Sequence, residues 1–168
     1  GILGYLPCSN NKDCFDAWGV IWKSKADALP MLGIELSKRF FSITGARVEL
    51  GVGANPKTSV PLLSRILHYY TSKMKHYYRL ADRDNYVIAQ ICHKDIVKGI
   101  ETQCDKVIAL RQPEDLLDFF DFSSIRYCLP CKDYWYYKKR FYDHPIYRYE
   151  IWGVDDKSEK AFFVTRTQ

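Results

Sequence analysis

Three places in this chain hold residues whose types and spacing could do chemistry. The first is a strand at residues 17–22, a loop at 23–30 and a helix starting near Met31. A helix N-terminus offers unpaired backbone N–H groups and the positive end of a dipole, so its first turn can hold a phosphate. Gly33 in that turn either admits a bulky ligand or relieves packing inside the protein. The second place is Arg140-Phe141-Tyr142-Asp143-His144-Pro145 with Tyr147, the most distinctive polar cluster. There His144 could serve acid–base chemistry, or end a helix while bonding nearby backbone. The third is Cys128-Leu129-Pro130-Cys131, a lone CxxC. A structural zinc site needs a second ligand pair at suitable spacing, and none follows; His68 and His76 give no metal pattern. No metal site is expected. Neither a Ser-His-Asp order nor a nucleotide-binding glycine motif is present.

The elements that must position these groups alternate along the chain. Strands are expected at residues 1–6, 17–22 and 47–52, and a polar turn at 9–13. The helix after Pro30 presents Leu32, Leu36, Phe40 and Ile43 on one face, and Gly45 should end it. Thr58 could cap a short helix with Val60, Leu63 and Leu67 on one face and Pro61 in its first turn. Alternation predicts strands at 69–80 and 86–92, split by a polar turn. Residues 91–103 form the expected linker. Beyond it come a strand at 106–110, a helix opened by Pro113-Glu114-Asp115, an aromatic helix at 133–142, and a hairpin of 147–154 with 161–165.

Composition narrows the class. Of 168 residues, 47% are apolar and 27% charged, enough for a packed core and too ordered in pattern for a disordered chain. The length suits one domain, or two fragments sharing one core. No apolar run approaches the roughly 20 residues that cross a bilayer. The net charge of +5 is spread among acids, which argues against nucleic-acid binding yet suits an anionic cofactor. Six cysteines in a chain with a sizeable core read as ordinary reduced thiols, and so as a cytoplasmic protein. The chain opens on Gly1 with an immediate strand, the expected look of a piece of something longer. Thirteen tyrosines and nine phenylalanines invite a sugar- or base-stacking surface, although strand and core packing accounts for most of them.

Residues 17–80 resemble the cofactor half of the GNAT superfamily, acyl-CoA-dependent N-acyltransferases, in the tandem form associated with bacterial surface-polysaccharide biosynthesis. That family's loop reads Arg or Gln, two residues, Gly, one residue, then Gly or Ala. In this chain Ala28-Leu29-Pro30-Met31-Leu32-Gly33 keeps the last glycine. Many members place a tyrosine, general acid for the leaving thiolate, four residues before a Gly-aromatic pair. Matching that pair to His68-Tyr69 sets Ser64 at the tyrosine position. The resemblance implies that amides near Trp22 and Lys23 polarise the thioester of acetyl-CoA or another acyl-CoA. It also implies that Leu32, Gly33 and Ile34 hold the pyrophosphate and that Asn55 sits near the pantetheine arm. Asp16 or His144 would be the base that deprotonates an amine acceptor, plausible as an amino-sugar precursor of a surface polysaccharide. The bland alternative for Asp16 is a turn residue solvated at a strand end.

Residues 106–168 resemble the opening of another GNAT domain: strand, two helices, hairpin. Residues 1–93 would then be the closing half of one domain and 94–168 the opening half of a second, in permuted order. The implied fold is α/β in the broad, α+β sense, a mixed and mostly antiparallel sheet flanked by helices. The halves either belong to a tandem protein or close into one sheet, and open edges would invite a homodimer or a swapped pairing. The alternative function is a non-catalytic GNAT-like module that binds a partner domain or glycan.

Overall fold

A computed structural model describes residues 1–75, 77–87, 90–94, 106–156 and 159–167. The fold is mixed α+β. Its strands form two separate three-stranded sheets, each carrying its own helices.

In the first sheet, β1 (Ile2–Pro7) runs antiparallel to β2 (Asp16–Lys23). Helix α1 (Leu32–Thr44) then crosses over to β3 (Val48–Leu50), which lies parallel to β2. Gly45 ends α1 in the left-handed region (φ 65°), with its N–H donating to Phe41 O, as the sequence predicts. The buried face of α1 differs from the predicted one. Ile34, Ser37 and Phe40 are buried, whereas Ile43 is 75% exposed. Phe40 packs edge-on against Tyr5 of β1, and that contact sets the rotation of the helix. After β3 comes α2 (Ser59–Arg65), whose N-cap residue Thr58 makes no side-chain capping bond.

The strands expected at 69–80 and 86–92 are absent among the described residues of those stretches. Tyr70, Met74, Tyr77 and Val87 are largely exposed. Alternation makes a strand only where a neighbouring strand takes up the backbone hydrogen bonds, and no neighbour is offered to this segment among the described residues. His76 and residues 95–103 of the expected linker lie outside the described residues.

The second sheet has the order β4 (Lys106–Leu110), β5 (Glu150–Asp156), β6 (Glu159–Thr165), antiparallel throughout. Between β4 and β5 lie α3 (Pro113–Phe119) and α4 (Tyr134–Tyr137). Pro113 begins α3 where its missing N–H costs little, and a capping box of Gln112 and Asp115 closes the turn. Helix α4, capped by Asp133, widens into a π turn at Lys138–Tyr142. Leu110, Leu116 and Ile151 form the centre of this half, ringed by Phe119, Phe120, Phe122, Tyr137 and Phe162. Gly153 lies against Phe119; a Cβ there would meet the ring at 2.7 Å.

No strand pairing joins the two sheets among the described residues. A polar seam connects them instead. Ser9 Oγ donates to Asp133 Oδ2 at 2.6 Å, and Asp133 N donates to Cys8 O at 3.2 Å. Lys132 Nζ lies 4.2 Å from the ring centre of Trp18, a cation–π contact across the same seam. No described helix is long and apolar enough to cross a membrane.

Candidate functional site

The residues expected on the cofactor side belong to β2, the start of α1 and the turn after β3. The parallel pairing of β2 and β3 covers Asp16–Val48, Ala17–Glu49 and Trp18–Leu50, the whole length of β3, while β2 continues to Lys23 against β1 alone, leaving its other edge open. Two glycines allow the close approach just before the split. A Cβ on Gly19 would meet Glu49 Oε1 at 3.0 Å, and one on Gly51 would meet Gly19 O at 3.4 Å. The register of β1 on β2 jumps from Gly4–Ile21 to Tyr5–Gly19, leaving Val20 as a bulge in β2. Such bulges bend a strand away from its neighbour and re-aim side chains.

Trp22 closes one side of this opening. Its indole Nε1 donates to Gly33 O at 2.9 Å, and a Cβ on Gly33 would meet the indole at 3.2 Å. Gly33 therefore makes room for Trp22, the packing role that the sequence leaves open beside a ligand role. At the start of α1, Leu32 N donates to Leu29 O and Ile34 N to Met31 O. Of the three amides expected to face a pyrophosphate, that of Gly33 alone has an N–H not donated to a backbone carbonyl. Asn55 is exposed and its Oδ1 accepts from Lys57 N at 2.9 Å, forming a local turn. Lys23 is exposed at the end of β2.

Met31 and His68 are the non-glycine residues with left-handed backbone among those described, at φ 65° and 56°. Met31 is the residue that leads into α1, and its carbonyl accepts from Ile34 N and Glu35 N. His68 follows α2, where Tyr69 N turns back to Leu63 O at 2.9 Å. A Cβ-bearing residue in this region costs roughly 1–2 kcal/mol, which glycine avoids. After allowance for glycine's larger entropy in the unfolded chain, Met31→Gly and His68→Gly are each expected to stabilise the protein by about 0.5–1 kcal/mol. Urea denaturation of the single and double variants measures this, and a loss of stability in both would contradict the backbone assignment.

The three candidate catalytic groups are all engaged within the protein. Asp16 is fully buried rather than solvated. Arg47 Nε donates to its Oδ1 at 3.0 Å and Arg47 Nη2 to its Oδ2 at 2.7 Å. Cys131 N, from the other half, donates to the same Oδ2 at 2.7 Å. A fully buried carboxylate held by a guanidinium fork and a backbone amide is shut off from a substrate proton. Ser64 Oγ donates to Val60 O at 2.9 Å, an ordinary bond within a helix. His144 Nδ1 accepts from Ile146 N at 3.2 Å and Tyr147 N at 3.0 Å. In the neutral ring this leaves Nε2 carrying the proton, so His144 offers a donor where the sequence reading wanted a base. These three groups belong to different elements, and none bonds another.

No family model, curated protein or solved structure matches this chain. The site's own geometry is the ground for a functional reading.

Arg47, Cys8 and Cys131 are the partners that sequence reasoning missed around Asp16. Burial pushes the Cys8 thiol from its ordinary value up to about 11, and it raises that of Cys131 as well. Both stay protonated near neutral pH, so neither is an activated nucleophile. The described cysteines are unbonded, and the described residues hold no cluster of three or more His, Cys, Asp or Glu placed for a metal. Glu49 lies at the mouth of the split and accepts from Tyr69 Oη at 3.1 Å. Its carboxyl is raised by burial against the lowering effect of that hydrogen bond. Tyr69 in turn stands edge-on to Phe41 of α1.

Proposed function

We propose that residues 1–93 are the cofactor half of a GNAT-type N-acyltransferase, which moves an acyl group from acyl-CoA to an amine. The observation that carries this reading is the pair Met31 and His68. Both adopt the backbone region that favours glycine, and both stand where the GNAT pattern has glycine: the fourth position of the loop motif and the Gly-aromatic pair. A chain that keeps two glycine conformations at those two positions after losing both glycines has the marks of that loop and helix end. The crossover of β2, α1 and β3, with the edge of β2 left open beyond the end of β3, supports the same reading.

On this reading the thioester lies in the split, with the one amide of Trp22 and Lys23 that points away from β1 directed at its carbonyl oxygen. Fixed amide dipoles are worth most where negative charge develops. The Gly33 amide and the N-terminal end of α1 face the pyrophosphate. None of the three candidate side chains acts as base, so the amine attacks in its free-base form and the rate comes from position and amide polarisation.

A second reading, a non-catalytic GNAT-like module, draws on specific observations: the occupied amides of Leu32 and Ile34, Ser64 in place of an acid, and Asp16 locked to Arg47. Thermal unfolding with acetyl-CoA addresses the cofactor claim common to the enzyme reading. A ligand at a hundred-fold excess over Kd adds about 2.7 kcal/mol to stability, which raises the midpoint by several degrees. Binding with measurable transfer to an amine supports the enzyme. Binding without transfer supports the module, and an unchanged midpoint at millimolar ligand contradicts acyl-CoA binding.

A further inference from the structure

The second half carries a cleft of its own, away from the β2–β3 split. It occupies about 380 Å³ beside the junction of β4 and β5 and is lined chiefly by Leu110, Arg111, Tyr142, Tyr149, Glu150 and Trp152. That volume lies within the roughly 300–1,000 Å³ of small-molecule sites. The rings are held rather than loose. Tyr142 Oη donates to Leu110 O at 3.0 Å, and Trp152 Nε1 donates to Thr165 Oγ1 at 3.1 Å. Tyr149 stands edge-on to Phe141 and His144, with centroids 5.1 and 5.4 Å apart. Because the polar handles of Tyr142 and Trp152 are already used, those residues have mainly ring surface to offer a ligand.

Two charged groups complete the wall. Arg111 is exposed and joins no ion pair among the described residues. Glu150 is exposed as well, and its Oε2 makes only a long contact with Thr165 Oγ1, 3.4 Å. A wholly anionic ligand would meet Glu150, and an acyl chain would leave both charges unanswered. A pyranose answers every part: its C–H face covers an aromatic ring, while its hydroxyls meet a carboxylate and a guanidinium fork. An ammonium in place of one hydroxyl adds a charge-assisted bond to Glu150.

We infer that this cleft binds a pyranose sugar and prefers an amino sugar through Glu150. Its use as the acceptor of acyl transfer rests on the function proposed above, but sugar binding itself does not. The test is titration of the whole chain with glucosamine and with glucose, followed by tryptophan fluorescence. Saturable binding in the millimolar range is expected, with glucosamine several-fold tighter than glucose. Glu150→Gln should erase that preference and keep glucose binding. Tyr149→Ala should weaken both sugars by about two- to ten-fold, the worth of one aromatic contact, with Tyr149→Phe restoring the affinity. No saturable signal for either sugar, or a preference that survives Glu150→Gln, would overturn the inference. The acetyl-CoA measurement on the same protein is independent, so failure of one reading is distinguishable from failure of the other.

Discussion

Asp16→Ala should lower the stability of the protein by about 3 kcal/mol. Removing one partner of a buried ion pair typically costs about 3–5 kcal/mol, and the lower end applies because Arg47 is 36% exposed and can regain water. The variant also leaves the buried Cys131 N–H without its acceptor, in the seam that joins the two halves. Asp16→Asn, which keeps an acceptor oxygen but drops the charge, should fall between the two. Equilibrium urea unfolding of the three proteins gives the comparison. A variant as stable as the parent but lacking transferase activity would return Asp16 to the role of base and exclude a purely structural one.

Leu116→Ala is expected to cost about 3 kcal/mol through the other half of the molecule. Leu116 is fully buried between Leu110 and Ile151. Truncating such a leucine removes transfer free energy and leaves a cavity, together worth about 2–5 kcal/mol. Against the roughly 5–15 kcal/mol that holds a typical domain together, the effect is large. The ring of Phe119, Phe120 and Phe162 is too interlocked to collapse onto the space, since Phe120 already packs edge-on to both Phe122 and Phe162. Denaturant midpoints report the loss. A change under about 1 kcal/mol would mean that this core repacks freely.

Much of the fold was legible in the sequence because local signals and tertiary partners agree. Pro113 with two acids opens α3, Gly45 ends α1, and the apolar run before Pro7 is β1. The misreadings occur where a partner decides. Residues 69–80 alternate as a strand would, yet alternation cannot supply the neighbouring strand. Ile43 has helical spacing with Phe40, but the ring of Tyr5 turns the helix so that Ile34 and Ser37 go inside. Trp22 of the expected strand and Gly33 of the expected helix, both singled out in the sequence, do pack together. Its ion pair was not, because Asp16 and Arg47 are 31 residues apart and Cys131 is 115 residues from Asp16. Nothing in their local sequence marks the pairing. The left-handed backbone of Met31 and His68 was hidden for a related reason: neither residue type announces that conformation.

If acyl-CoA lies in the split between β2 and β3 with its pyrophosphate at the start of α1, two donors must feel it. They are the Gly33 amide and the Trp22 indole N–H, which border the opening. Titration of the isotopically labelled protein with acetyl-CoA, followed in amide and indole resonances, reads both at once. Saturable shifts are expected at these two groups, with the seam around Asp133 unmoved. Resonances of Gly33 and Trp22 that stay in place at millimolar acetyl-CoA would contradict cofactor binding at this site.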